Sequence, residues 1–275
     1  MTAGSAPGAI GATGGGVPGA VGRSLAPWVA PIALVVIWEA LSRLQIIPES
    51  LLPSPSEVVL AAVHATRSGD LPAHLGVSAL RALGGLVIGA GIGLVLGLAT
   101  GLSRALQLVV DGPIQMLRAI PALALVPLVI LWFGLGETAK LFIVAVTVLF
   151  PVYLNTFHGV RSVDPHIIEM ARVYDVRGLA LYREVILPGA LPSILVGLRF
   201  ALGLAWLVLI VAETIGASRG LGYVAMNARE FMQMDLLVLT IVLWAILGKL
   251  ADSLARWAER QLLPWQPRLQ RMDAR

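Results

Sequence analysis

Charged side chains set inside long apolar runs are the residues of this sequence best placed to do chemistry. Arg199 stands about ten residues into the run from Ala190 to Ile215, roughly 15 Å along a helix axis. At membrane depth a charge costs roughly 2.5 to 3.5 kcal/mol on insertion scales, so it marks a candidate pathway. A buried guanidinium suits an anion that accepts its paired N–H donors. The competing reading is a pairing with a neighbouring helix or carbonyl, or a side chain that snorkels to the interface. Glu213, near the far end of the same run, fits a gate, and equally a cap or a partner for Arg219. Arg118 precedes the run that opens at Ile120 and fits either the pathway or an interfacial anchor. Lys249 and Asp252 are three apart and are expected to neutralise each other on one helix face.

Other chemistries lack their residues. His64, His74, His158 and His166 fall on different segments without paired ligand spacing, so no metal site is expected. Cysteine is absent, which removes disulfides and thiolate chemistry. Ser, His and Asp show no nucleophile pattern. Gly14, Gly15 and Gly16 are not followed by Gly-Lys-Ser or Gly-Lys-Thr, and Gly248-Lys249 runs on into Leu250, so no ATP site is expected in this chain.

The elements that must carry these residues are membrane helices. The chain has 275 residues, 57% of them hydrophobic and 13% charged, and a mean hydropathy of +0.85. A span needs roughly 20 apolar residues. The runs at 27–44, 77–102, 120–134, 139–157, 190–215 and 236–255 give an all-α, polytopic chain with six transmembrane helices. Pro121 and Pro127 predict a bend in the third span. Gly84, Gly85, Gly89, Gly91, Gly93 and Gly97 predict close helix contact in the second. Ser54, Pro55 and Glu57 spell a capping box opening a short surface helix. Residues 1–24 read as a disordered tail, 25–262 as the membrane domain and 263–275 as a second tail.

Six spans place both termini on one side. The loops on that side carry Arg23, Arg104, Arg161, Arg172, Arg177 and Arg183 together with the C-terminal arginines, against Arg43, Arg67, Arg81, Lys140, Arg219 and Arg229 opposite. The positive-inside rule makes the richer side cytoplasmic. The same rule accounts for the formal charge of +4, so nucleic acid is not an expected partner.

The polar stretch from 161 to 189 is too organised for a plain connection. Asp164 and Pro165 open a helix in which Ile167, Ile168, Ala171 and Tyr174 share one face while Glu169 and Arg172 stay outside it. After Arg177 and Gly178 a second short helix is expected to end at Pro188, where the chain turns back to the membrane. The segment EMARVYDVRGLALYREVILP resembles the coupling loop of binding-protein-dependent ABC importer permeases, with its Glu-Ala-Ala, Gly and Ile-x-Leu-Pro pattern. Glu169, Ala171, Leu187 and Pro188 occupy the family positions. Met170 stands for Ala, Asp175 for Gly and Val185 for Ile. Asp175 is the departure that matters, because the turn there calls for a positive φ.

The resemblance covers about 51 to 266. The blocks LPSPSEV, LRAIPALALVPLVILWFG and AETIGASRGLGYVAMNAREF look most like aliphatic sulfonate permeases, with taurine, nitrate and bicarbonate permeases as relatives. It implies the type I ABC importer permease fold in the bacterial inner membrane and a second copy of the chain. It also implies two separate ATPase subunits that bind ATP and Mg and dock on the loop, and an extracytoplasmic solute-binding protein. Glu213 then gains a further reading as a contact for that binding protein. An ion-coupled carrier would show midplane carboxylates, which are few here. A membrane-embedded enzyme would show clustered ionisable residues.

Overall fold

The computed structural model describes residues 20 to 265, with side chains from residue 29. Most of the two expected tails, 1–19 and 266–275, lies outside the described residues. Within them the chain is built from helices joined by short turns, without a strand. Helix α1 (Ala20–Arg43) begins inside the stretch expected to be tail. Helix α2 (Pro55–Arg67) starts on the expected capping box: Ser54 Oγ accepts the Glu57 N–H and the Glu57 carboxylate accepts the Ser54 N–H.

Three long helices make the core. They are α3 (Asp70–Leu102), α6 (Glu137–Arg161) and α9 (Leu187–Thr214). Lipid gives no hydrophobic drive for helices to associate, so close packing must supply it. Gly85, Gly89, Gly93 and Gly97 recur every four residues on α3 and lie flat on α6. A Cβ at Gly93 would stand 2.6 Å from the Leu149 carbonyl, and one at Gly97 2.6 Å from Thr156 Cβ; at Gly89 it would run into the Ala145 backbone. Gly91 faces open space, so the contact seam is narrower than the glycine content suggests. Val144, Val148 and Val152 of α6 then pack between Ala82 and Leu86 of α3 and Ala201, Ala205 and Leu209 of α9.

Helix α4 (Arg104–Ala119) is followed by a 3-10 turn (Ala122–Leu125) and α5 (Val126–Phe133). The expected third span, 120–134, corresponds to the 3-10 turn and α5; α4, expected as an interfacial segment before it, joins it in one broken pair with 85° between the limbs. Ile120 precedes Pro121 and is extended, at φ −81° and ψ 120°, the region that proline's ring favours for its predecessor. Counting this pair as one span, five spans pass on length and apolarity: α3, α6, the rod ending in α9, α11 (Met234–Leu262) and the broken pair. The remaining expected span, 27–44, corresponds to α1, described only by its backbone up to residue 28.

Between α6 and α9 lies a hook, formed by α7 (Pro165–Val173), a turn, and α8 (Gly178–Leu181). The second hook helix does not stop at Pro188. It passes through a π turn at Tyr182–Ile186, where the Leu187 N–H reaches back to the Tyr182 carbonyl, and continues as α9. The wider turn leaves Pro188 in the first turn after the bulge, where its missing N–H costs little. The result is one rod from Gly178 to Thr214. At the opposite end α10 (Leu221–Glu230) packs with α2, α3 and α11 around Val58, Leu71, Leu221 and Leu239.

Candidate functional site

The hook is held from both ends. Asp164 caps α7 by accepting the His166 N–H at 2.9 Å. At the other end the Val176 N–H bonds the Ala171 carbonyl (3.0 Å) and the Asp175 N–H bonds the Arg172 carbonyl (3.1 Å). This is the Schellman pattern, which requires a left-handed residue after the cap. Asp175 fills that place at φ +64°. The departure from glycine thus leaves the turn intact, since Asp visits this region more readily than most residues. Its carboxylate meets Arg177 at 3.0 Å, both side chains being exposed. Gly178 follows at φ +57°.

The hook's inner side is small. Ala171 is buried with Leu181, Ile186, Ala190 and Val160, flanked by Ile168, Val176 and Val185. Ile167 and Tyr174, expected on that same face, are exposed at 47% and 78%. The helix ends at Val173, so Tyr174 has already left its register, and the space beside Ala171 is taken by Val176. With Met170, Val173 and Leu179 they form an uncovered apolar surface, edged by the exposed Glu169 and Arg172.

The opposite end of the core holds a buried ionic cluster. Arg81 of α3 is 5% exposed. Its Nε and Nη2 grip both oxygens of Glu137, each at 2.5 Å. Its Nη1 donates to Glu213 Oε1 at 2.7 Å and to the Arg219 carbonyl at 2.6 Å. Glu213, 2% exposed, also accepts from the Ser78 hydroxyl (2.8 Å) and the Gly222 N–H (3.0 Å). Gly220 and Gly222 let the loop close on this carboxylate, because a Cβ at either would run into Glu213. Lys140 donates to the Leu135 and Gly136 carbonyls. Glu213 therefore pairs with the side chain of Arg81 and not of Arg219. Sequence reasoning placed Arg81, Glu137 and Lys140 in loops or left them aside; opposite charges at the same ends of three apolar runs were the available signal.

Arg199 is also paired. Its Nε donates to Asp252 of α11 at 2.7 Å and its Nη1 lies 3.8 Å from Glu259. Asp252 takes Arg256 on its other oxygen at 2.7 Å, so arginines occupy the place expected for Lys249. Arg199 and Asp252 line an open cavity of about 420 Å³ with Phe200, Leu204 and Leu207. Arg118 differs: it sits in the last turn of α4, exposed, without a hydrogen bond or ion pair among the described residues. No group of three or more His, Asp or Glu stands in reach of one metal ion among the described residues.

Residues 89–263 match the family described as binding-protein-dependent transport system inner membrane component. The chain belongs to this family. The permease is 55% identical to the aliphatic sulfonates transport permease protein SsuC of Escherichia coli K12, over 88% of its own length and 92% of the relative's. It is 43% identical to the protein of the same name in Bacillus subtilis 168, with 86% of each chain covered. It is 35% identical to the taurine transport system permease protein TauC of E. coli K12, over 86% and 88%. A crystal structure of an amino acid ABC transporter superposes with a TM-score of 0.62 at 21% identity, over 74% of the permease and 97% of that chain. The inward-facing MetNI methionine transporter gives 0.52 at 19%, over 67% and 90%. These two show that the fold is shared with ABC transporter chains, and the family match with the apolar helices makes the permease a multi-pass membrane protein.

Proposed function

We propose that this permease carries aliphatic sulfonates into the cytoplasm, as one of two copies driven by two separate ATPase subunits that dock on the hook. The observation that carries the docking is the exposed apolar surface of Ile167, Met170, Val173 and Tyr174 on a helix fixed at both ends. An exposed apolar patch bordered by charge fits a protein partner, and Glu169 and Arg172 supply its polar edge. With the hook and both termini cytoplasmic, the buried cluster at the other end faces the binding protein. Glu213, enclosed by Arg81 and Ser78, holds the loop that the binding protein meets. Arg199, paired with Asp252, fixes α9 against α11, which supports a positioning role over solute contact.

The sulfonate assignment rests on the relatives' names, with taurine, nitrate and bicarbonate as competing solutes. The permease reconstituted in proteoliposomes with its ATPase and binding protein is expected to take up labelled ethanesulfonate in an ATP-dependent manner. Uptake of nitrate or bicarbonate in its place would refute the solute. Robust ATP hydrolysis by the purified chain alone would refute the division of labour.

A further inference from the structure

We infer that Arg118, at the corner of the broken span, is the side chain that contacts the anionic solute at mid-membrane. The inference rests on the reading of this chain as an anion permease. Both limbs of the broken span are tied to α6. On the hook side of the break, Asp111 accepts a hydrogen bond from Tyr153 (3.2 Å). Beyond the break, Val126 and Val129 pack with Ala139, Ile143 and Val208. Helix α6 runs from Glu137 to Arg161, so Ile143 and Tyr153 lie on either side of its middle. Arg118 falls in sequence between the two ties. The break thus falls between the levels of α6 marked by Ile143 and Tyr153. An extended arginine reaches roughly 7 Å, short of the roughly 15 Å from midplane to interface, so snorkelling does not satisfy it.

The backbone at this corner also needs a polar surrounding, from water or from another chain. Ile120 is extended, and Arg118, Ala119, Ile120 and Pro121 are all exposed. The last carbonyls of α4 have no helical partner. Irregular backbone at this depth is stable only against protein or a water-filled path. Other charges of the spans are spoken for: Arg81, Lys140, Glu213, Arg199 and Asp252 each hold a partner, and Lys249 stands one turn from Asp252. Arg118 alone joins an open backbone corner to a guanidinium without a partner among the described residues. Gln107, Asp111 and Gln115 precede it at spacings that put them on one side of α4, a polar track from the hook end to the break. Asp111 on that track is engaged by Tyr153. The carbonyl end of α4 favours a cation there, and the guanidinium offers a sulfonate two parallel donors. For this contact each break must face the path that the two copies share.

The test uses the complete complex in proteoliposomes. Losing a charge-assisted hydrogen bond lowers an equilibrium roughly ten- to a hundredfold, so Arg118→Gln and Arg118→Ala are expected to lose ethanesulfonate uptake by that factor. Arg118→Lys is expected to retain an intermediate rate, and all three to co-purify with the ATPase. In a second arm Ala119→Cys, introduced into this naturally cysteine-free chain, is expected to react with a hydrophilic methanethiosulfonate. Ethanesulfonate, delivered with binding protein and ATP, is expected to slow that reaction. Uptake by Arg118→Gln at the wild-type rate, or an unreactive Ala119→Cys in an active complex, overturns the inference. Should Arg118→Ala fail to assemble, the labelling arm decides, because it keeps Arg118. A wild-type complex that carries nitrate and not ethanesulfonate refutes the solute assignment alone, and the same variants then read Arg118 with nitrate. Transport of a neutral solute only overturns both.

Discussion

Replacing Arg81 with methionine separates two contacts that look alike in geometry. The guanidinium meets Glu137 at 2.5 Å and Glu213 at 2.7 Å, but the Glu137 side chain is 60% exposed and that of Glu213 only 1%. In Arg81→Met, water takes over at Glu137, while Glu213 keeps as hydrogen-bond donors only the Ser78 hydroxyl and the Gly222 N–H, with the Lys140 charge further off. Breaking a buried pair from one side costs about 3 to 5 kcal/mol. Glu137→Gln opens a half-exposed pair and should cost less than about 1 kcal/mol. Glu213→Leu leaves Arg81 with Glu137 and the Arg219 carbonyl, so the double variant Arg81→Met/Glu213→Leu should recover about 2 kcal/mol relative to the two single losses. At roughly 2 to 4 °C per kcal/mol for a chain of this size, thermal unfolding in detergent, followed by tryptophan fluorescence, should fall by about 6 to 20 °C for Arg81→Met. Glu137→Gln should lower it by less than about 4 °C. Equal shifts for these two variants would refute the argument that exclusion of water, and not the length of the contact, sets the strength of this cluster.

Asp175→Gly should stabilise the hook by about 1 kcal/mol by relieving the positive φ, while the lost exposed pair with Arg177 matters little; slower proteolysis between residues 165 and 178 measures it, and Asp175→Val should accelerate the same cleavage. Gly93→Val should cost about 1 to 3 kcal/mol by forcing α3 off α6, whereas Gly91→Val, facing open space, should stay within about 0.5 kcal/mol, both read from thermal unfolding. Met170→Asp and Tyr174→Asp should weaken co-purification with the ATPase without lowering the unfolding temperature. Arg199→Ala should cost no more than about 1 kcal/mol, since the pair with Asp252 is partly exposed and Arg256 remains on that carboxylate.

The hook was legible because its determinants are local. Asp164, Pro165 and the glycine-like turn lie within a few residues of what they control, and Asp175, the departure from the family's glycine, meets a backbone angle that Asp tolerates. Pro188 was misread for a related reason. Proline ends a regular helix, but the π turn ending at Ile186 carries the chain past it, and Leu181 and Ile186 at the two ends of that turn pack with Val160 of α6 and Ala190 and Ile194 of α9, contacts that no local rule contains. The ionic cluster was harder still. Arg81 and Glu213 lie 132 positions apart, and their meeting depends on the glycine seam of α3 and on the loop through Gly220. Arg199 was found as a charge at depth, yet its partner on α11 follows from helix packing alone. Of the two prolines expected to bend the third span, Pro121 stands at the break from α4 while Pro127 opens α5; that α4 belongs to the same broken pair depends on both limbs being tied to α6.

The π turn has a mechanical consequence. Because it carries the chain past Pro188 without a break, the 37 residues from Gly178 to Thr214 form one strut, about 55 Å long at 1.5 Å per residue. The hook is its handle, and the sealed cluster around Glu213 is close to its far tip. A tilt of about 5° imposed at the handle moves such a tip by roughly 5 Å, about one helical turn. A hinge at Pro188 would have absorbed that tilt at the near end; the continuous strut delivers it to the other side of the membrane.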